Sequence, residues 1–218
     1  MRKAHFALAA VFLAALFGRA ELRADERHTL VFFGDSLTAG FGLDDPGQDA
    51  YPALIQRKID SEGLPWRVVN AGLSGDTTAA GVRRVDWVLR QPVDLFVLAL
   101  GANDGLRGIT PELTESNLRE IIGRVRARYP SAGILLAGMR MPPNMGEDYT
   151  RRFAALFPSA AEKEHVELIP FLLEGVGGRP QFNQADSIHP NIAGHALIAD
   201  ALWPILRPRL VPTASRPK

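Results

Sequence analysis

The chain has 218 residues, a nearly balanced charge and no cysteine, and these properties exclude several classes of protein and of site. It carries 25 Lys and Arg residues against 24 Asp and Glu residues, a formal net charge of +1, and 46% of its residues are hydrophobic. Such a length and composition are typical of one globular domain with a buried core. The balanced charge argues against a nucleic-acid partner, which requires a basic face. The absence of cysteine excludes disulfides, cysteine metal ligands, a lipid-modified cysteine and a thiol nucleophile.

The N-terminal segment has the pattern of an export signal. Two basic residues precede a twelve-residue apolar run over residues 6–17, and small residues follow it. This order predicts a signal peptide over residues 1–20, cleaved after Ala20 or alternatively after Ala24. The run is shorter than the roughly 18 apolar residues that a membrane-spanning helix needs. We therefore expect an exported protein, periplasmic or secreted, with no stable membrane anchor and with a mildly acidic mature chain.

Short apolar segments alternate with helical ones along the rest of the chain. Buried strands are predicted at residues 29–33, 66–69, 94–100, 134–137 and 166–169. Helices are predicted at residues 51–61, 77–89, 111–128, 147–164 and 191–206. Such alternation forms a parallel sheet with right-handed crossovers. The sequence thus predicts one α/β domain, a three-layer α/β/α sandwich with a five-stranded parallel sheet, over residues 25–207, with a flexible tail over 208–218.

Polar residues cluster in the loops that follow four of these predicted strands. In chain order the loops read GDSL at 34–37, SGDT at 74–77, GAND at 101–104 and DSIHP at 186–190. Reacting groups of parallel α/β proteins gather outside the carboxyl ends of the strands. We therefore expect the four loops to meet at one edge of the sheet.

One serine, one histidine and one aspartate in these loops have the chemistry of a nucleophilic site. A serine hydroxyl needs an adjacent base, and an imidazole held in one tautomer by a carboxylate serves as one. Asp186 lies three residues before His189, so one loop can set the carboxylate against ring Nδ1 and leave Nε2 facing Ser36. The alternative interpretation of Ser36 is a simple helix cap.

The neighbouring loops supply candidate donors for the oxyanion that forms during acyl transfer. With a strand order of 2-1-3-4-5, the loops of Gly75 and Asn103 flank the loop of Ser36. The backbone N–H groups of Ser36 and Gly75 and the side-chain amide of Asn103 can then point to one oxygen.

Four strings of the sequence resemble the conserved blocks of a known family. FGDSLTAGFG, NAGLSGDT, LGANDGLRG and DSIHPN resemble, in order, the four blocks of the SGNH or GDSL hydrolases, most closely the bacterial exported arylesterase, thioesterase and lysophospholipase group. The resemblance covers residues 30–205. It implies a flavodoxin-like sheet and no metal or organic cofactor. It also implies that Ser36 is the nucleophile, that Asp186 orients His189 as the general base, and that Ser36, Gly75 and Asn103 form the oxyanion hole.

The segment after the fourth predicted strand departs from the pattern of that group. It reads RMPPNMG, where related chains often carry an aromatic residue. The acyl-chain preference therefore does not transfer with the resemblance. Candidates for lining an acyl pocket are Leu106, Ile109, Met141 and Met145, with ordinary packing as the alternative.

The function that follows is hydrolysis of small-molecule carboxylic esters or thioesters of acyl chains by a monomeric serine hydrolase. A carbohydrate O-acetyl esterase on the same scaffold and a non-catalytic ligand-binding protein are the alternatives. Asp35, Asp76 and Asp104 also suggest a metal site, but acids at helix starts are usually caps or loop braces, and we expect no metal.

Overall fold

A parallel sheet forms the centre of the domain in the computed structural model, which describes residues 27–211. Its strands β1 to β5 span His28–Gly34, Trp66–Gly72, Leu95–Ala99, Gly133–Ala137 and Glu167–Ile169. Their order is β2-β1-β3-β4-β5, and every neighbouring pair is parallel. The predicted five-stranded, flavodoxin-like sheet is confirmed. The predicted signal peptide lies outside the described residues.

Helices connect the strands and cover both faces of the sheet. In chain order α1 to α8 span Ser36–Ala39, Pro46–Asp49, Tyr51–Ser61, Thr78–Val88, Ala102–Leu106, Pro111–Arg128, Glu147–Glu164 and Ile192–Leu210. Helices α3 and α8 pack together on one face, and α4, α6 and α7 pack side by side on the other. The result is the predicted three-layer sandwich. Two 3-10 turns, Pro143–Met145 and Pro180–Phe182, lie in the loops after β4 and β5.

The central strands β1 and β3 are buried almost completely, which explains their unbroken apolar sequences. Strand β3 is buried at every position, and β1 at every position except its first residue. Strands covered by helices on both faces lose the alternation of polar and apolar residues. The edge strand β2 is half-exposed, and Gln56 of α3 caps its free side, accepting from the Val68 N–H at 2.6 Å and donating to the Trp66 carbonyl at 3.3 Å. This amide occupies backbone groups that would otherwise pair with another strand.

The last helix is longer than the sequence predicts. Helix α8 continues through Pro208 to Leu210, so the prediction of a flexible tail is wrong for residues 208–210, while residues 212–218 lie outside the described part of the chain. A proline removes one helical hydrogen bond, but Leu210 is buried and its carbonyl accepts a bond of 2.8 Å from the Trp66 indole. Although α8 has 19 residues, no helix within residues 27–211 is long and apolar enough to span a bilayer.

Candidate active site

The junction between β1 and α1 presents the predicted serine. A Cβ on Gly34 would lie 2.0 Å from Thr38 Oγ1 and 2.9 Å from the Ala99 carbonyl, so only glycine fits where the strand ends. Asp35 then caps α1, its Oδ1 accepting from the Leu37 N–H at 3.0 Å. Ser36 is the first residue of this single-turn helix, and its side chain opens into a cavity at the carboxyl edge of the sheet.

The structure brings Ser36, His189 and Asp186 together in one hydrogen-bonded series. His189 Nε2 lies 2.9 Å from Ser36 Oγ, and His189 Nδ1 lies 2.6 Å from Asp186 Oδ2. The second oxygen of Asp186 accepts from the backbone N–H groups of Ile188 at 2.9 Å and His189 at 3.0 Å. Ser187 closes this tight turn in the left-handed conformation, with φ of 59°. The three-residue spacing therefore lets one carboxylate hold both the backbone and the ring of the histidine.

The hydrogen bonds of this turn also set the charge of the aspartate. Partial desolvation raises the pKa of Asp186, but the bonds from the His189 ring and from the two backbone N–H groups outweigh it and lower the pKa to about 2. The carboxylate is therefore ionised at neutral pH. An ionised carboxylate on Nδ1 favours the tautomer that leaves Nε2 free to accept a proton from the serine.

The candidate oxyanion donors lie on the two flanking loops, as the strand order requires. Asn103 lines the same cavity as Ser36, and its Nδ2 donates to the Asp76 carbonyl at 3.0 Å and, more weakly, to Asp35 Oδ2 at 3.4 Å. Gly75 lies outside the cavity wall with a φ of +85°, and its carbonyl accepts from Arg107 Nη2 at 3.1 Å. Arg107 thus ties the Gly75 loop to the loop that carries Asn103.

Asp35 is buried beside the candidate nucleophile and forms no ion pair with any residue of the described range 27–211. Its side chain is fully inaccessible, and desolvation raises its pKa to about 7 despite the hydrogen bond from the Leu37 N–H. The carboxyl is therefore poised between its neutral and ionised forms near neutral pH. Because Asp35 Oδ2 faces the Asn103 amide, this charge acts directly on a candidate oxyanion donor.

The other two conspicuous aspartates brace separate parts of the site. Asp76 pairs with Arg84, whose Nη2 also donates to the Gly34 carbonyl at 2.8 Å. Asp104 accepts from both the backbone N–H and the hydroxyl of Thr78. Within residues 27–211 no group of three or more histidine and acidic side chains is arranged to hold a metal ion.

An apolar cavity of about 500 Å³ adjoins Ser36 and His189. Leu106 and Met141, both predicted to line an acyl pocket, belong to its wall, together with Leu37, Pro142, Pro143, Phe171, Leu173 and Ile188. Ile109 and Met145 do not, so the prediction is wrong for them. The carbonyl of Ile109 is held by the Tyr149 hydroxyl at 2.8 Å, which places this residue on the α7 side of its loop. Met145 ends the 3-10 turn, and the prolines before it form the wall instead.

Two residues that the sequence analysis did not select hold the histidine loop in place. The Gln184 side-chain amide donates to the Phe41 carbonyl at 2.6 Å and to the Pro190 carbonyl at 3.0 Å, while its backbone N–H donates to the His189 carbonyl at 2.8 Å. The Phe41 ring lies against the His189 ring, with centroids 4.7 Å apart. Gln184 therefore joins the loop after α1 to the loop of the histidine. Gln184 lies outside the four strings, and Phe41 lies in the first of them without a polar or reactive group that marks it as functional.

A serine bonded to histidine and histidine bonded to aspartate, at the carboxyl edge of a parallel sheet, define a serine hydrolase site. Comparison with known proteins identifies the family. The sequence profile of the GDSL-like lipase/acylhydrolase family matches residues 32–197, and the chain belongs to that family.

Relatives with assigned activities cover most of the chain. It is 41% identical over 183 residues to esterase TesA of Pseudomonas aeruginosa, covering 84% of this chain and 89% of that protein. It is 41% identical over 187 residues to thioesterase 1/protease 1/lysophospholipase L1 of Escherichia coli, covering 85% and 86% of the two chains. The crystal structure of the psychrotrophic esterase EstA from Pseudoalteromonas, inhibited by monoethylphosphonate, superposes with a TM-score of 0.78 at 31% identity, over 84% of this chain and 98% of that one. The protein is therefore a serine hydrolase of ester bonds.

The raised pKa of Asp35 predicts a pH-dependent stability. An aspartate ionises at its ordinary pKa of 3.8 in the unfolded chain but near 7 in the fold. Between these values the folded state binds more protons, so the free energy of unfolding falls as the pH rises from about 4 to 7. Asp35→Asn removes the titration and should stabilise the protein at pH 8 but much less at pH 5, with an upper limit of about 4 kcal/mol.

Urea unfolding of the parent and Asp35→Asn at the two pH values measures this difference. Asp44→Asn, which removes an exposed carboxylate from the following loop, is the matched control and should change stability little at either pH. An Asp35→Asn variant that is no more stable than the parent at pH 8 would show that the ionised Asp35 carboxyl does not lower the free energy of unfolding.

The Gln184 bridge predicts a loss of turnover with little loss of substrate binding. Gln184→Ala removes the side-chain bond to the Phe41 carbonyl, which joins the two loops, and the bond to the Pro190 carbonyl within the histidine loop. Since small displacements of a reacting pair cost large factors in rate, we expect kcat on a soluble ester to fall about tenfold while KM changes less than twofold. Gln48→Ala, which removes an exposed glutamine bonded only within its own turn, should leave both constants unchanged. Equal kcat for Gln184→Ala and the parent would contradict this role.

Proposed function

We propose that the protein hydrolyses esters or thioesters of acyl chains longer than acetyl through an acyl-enzyme intermediate on Ser36. The observation that carries the proposal is the 2.9 Å contact between Ser36 Oγ and His189 Nε2 at the mouth of an apolar cavity of about 500 Å³. This volume lies within the range of about 300–1,000 Å³ that small-molecule sites occupy. Its apolar wall suits an alkyl chain, so it favours the acyl-hydrolase alternative over the carbohydrate O-acetyl esterase.

The geometry supports a two-step reaction. His189 Nε2 takes the hydroxyl proton as Ser36 Oγ attacks the carbonyl carbon of the substrate, and Asp186 stabilises the resulting imidazolium. The tetrahedral oxyanion accepts bonds from the Ser36 N–H and from the Asn103 amide, which gives up its weaker contact with Asp35. The Gly75 N–H, on the adjoining loop, is the third candidate donor. Collapse breaks the bond to the alcohol or thiol, which leaves with the proton from His189. In the second step water attacks the acyl carbon while His189 Nε2 takes its proton, the bond to Ser36 Oγ breaks, and the proton passes from His189 to Ser36 as the acid leaves.

The names of the relatives support this substrate class and leave the leaving group open. An esterase, a thioesterase/lysophospholipase and an arylesterase are among them. The cavity wall contains Met141 beside Gly105, where an added Cβ would meet the Met141 sulfur at 2.1 Å. Gly105 thus lets a flexible thioether form part of the wall, which suits chains of different shape.

A chain-length series on the parent and on Ser36→Ala tests the proposal. We expect butyryl to octanoyl p-nitrophenyl esters to be cleaved faster than the acetyl ester, and Ser36→Ala to lose at least about 10³-fold in kcat. An alkylphosphonate probe should label Ser36 in the parent. Ser74→Ala, the matched control in the adjoining loop, should keep full activity.

Three results would overturn the proposal in different ways. Full activity of Ser36→Ala would exclude the serine mechanism. Acetyl esters, including acetylated xylan, cleaved faster than longer chains would favour the carbohydrate esterase. A parent that binds acyl ligands without turnover or labelling would be a binding protein.

We also propose that the chain is exported and that its N-terminal segment is removed. The support is the basic and apolar pattern that ends at the small residues before residue 21. N-terminal sequencing of protein recovered from the periplasm or medium should give a chain that begins at Glu21 or Asp25. Recovery of the intact N-terminus from the cytoplasm would contradict export.

A further inference from the structure

Large apolar side chains that remain exposed are concentrated at the carboxyl edge of the sheet, where the cavity opens. Within residues 27–211, six of the eight lie at the carboxyl edge of the sheet, each between 41% and 56% exposed. We call this set the apolar rim, and it consists of Phe41, Leu73, Leu106, Leu113, Ile188 and Ile192. The other two, Trp87 and Val211, lie at the opposite edge, at the ends of α4 and α8.

Side-chain contacts place three members of the rim at the opening, and a backbone bond places a fourth on the adjoining loop. The Phe41 ring packs on the His189 ring, and Leu106 and Ile188 line the cavity itself. The Leu73 N–H donates to the Gly34 carbonyl at 3.0 Å, immediately before the Ser36 turn.

Chain direction places the other two members at the same edge. Leu113 and Ile192 lie in the first turns of α6 and α8. Helix α6 leads from the carboxyl end of β3 to the amino end of β4, so its first turn lies at the carboxyl edge. Helix α8 runs parallel to α3, because His195 contacts Tyr51 near both starts and Arg207 pairs with Glu62 near both ends.

An exposed leucine or isoleucine is ordinary when it is scattered, but a set gathered around one opening marks an interaction surface. The rim is continuous with the cavity, since two of its members form part of the cavity wall. A folded partner or a second copy of the chain seated on the rim would cover the opening to the candidate nucleophile. A lipid aggregate would bury the same side chains and present acyl chains at the opening.

The charged side chains near the opening indicate which lipid headgroups suit the rim. Three arginines near the opening are engaged within the chain: Arg107 donates to the Gly75 carbonyl, Arg152 pairs with Glu112, and Arg140 lies over the Phe171 ring and 3.7 Å from Glu174. Arg179, next to the cavity-lining Gly178, is exposed, and a single base is not a cluster. Attraction to anionic headgroups depends on free basic clusters and weakens with salt. The rim instead offers apolar area, which suits a zwitterionic surface.

We propose that the apolar rim docks the protein on zwitterionic lipid surfaces, so that acyl substrates reach Ser36 from a micelle or bilayer. Hydrolysis by the docked protein rests on the proposed function. Docking itself does not, because it needs no hydrolysis. Insertion of part of each rim side chain into lipid removes apolar area from water, and this is the source of the binding.

Co-sedimentation with phosphatidylcholine vesicles at low and high salt tests the docking. Leu73→Ser, Leu113→Ser and Ile192→Ser each remove one rim residue that does not line the cavity, and each should weaken vesicle partitioning about fivefold. Trp87→Ser removes a more exposed apolar side chain at the opposite edge and should leave partitioning unchanged. All variants are prepared in the same form of the chain, so residues 1–20 contribute equally.

Hydrolysis of soluble p-nitrophenyl butyrate separates this proposal from the proposed function. The rim variants should keep the parent rate on this monomeric ester, so loss of vesicle binding alone supports docking through the rim. Equal partitioning of the rim variants and the parent, an equal loss in Trp87→Ser, or binding abolished by salt would overturn it. Concentration-dependent dimers of the parent that the rim substitutions disrupt, measured by analytical ultracentrifugation, would identify the rim as a protein interface instead. Vesicle binding without ester hydrolysis would refute the proposed function and leave the docking intact.

Discussion

The hydrogen bond between Ser36 and His189 joins residues 153 positions apart, and the site depends on the two loops that bring them to 2.9 Å. One loop is fixed at its base by the sheet, where Gly34 leaves no room for a side chain between Thr38 and Ala99. The other has little regular structure, so side-chain bonds hold it. Gln184 supplies the bridge between them, and Asp186 fixes the turn of the histidine through two backbone N–H groups. The chemistry thus rests on a rigid strand end and on a loop held by polar contacts.

The same site contains a group that the fold stabilises poorly when it is charged. Asp35 caps α1 and faces the Asn103 amide, but burial opposes its ionisation. Burying a carboxyl without a cation is unfavourable, and such groups are found where function requires them. The Asn103 amide is held before substrate arrives by its bond of 3.0 Å to the Asp76 carbonyl, and its weaker contact with Asp35 is the one that the oxyanion replaces. Preorganisation of donors lowers the barrier to acyl transfer because they need not reorient in the transition state.

Sequence patterns predict those elements whose apolar residues recur at the helical period or form one continuous run. The buried strands and the long helices over residues 51–61, 111–128 and 147–164 have these patterns, and the structure has those three helices with the same bounds. Helices α1, α2 and α5 have only four or five residues, too few for a period. The sequence does not predict the end of α8, because Pro208 favours a break in the helix. The bond that holds this end, from the Trp66 indole to the Leu210 carbonyl, joins residues far apart in the chain. The sequence also does not show which side chains reach the cavity: Leu106 ends α5 and Ile109 follows three residues later, but only Leu106 lines the cavity.

The parallel sheet also explains why reactivity and apolar exposure occur at one edge. Every strand ends there and every following helix begins there, so the loops that carry Ser36, Asn103 and His189 also carry Phe41, Leu106 and Ile188. Hydrolysis of a water-soluble ester needs only Ser36, Asn103 and His189. Long acyl chains are held in aggregates, and an enzyme that meets them in water must first remove the chain from its apolar surroundings. An apolar surface around the opening reduces that cost, because the chain passes from lipid into the cavity without full exposure to water.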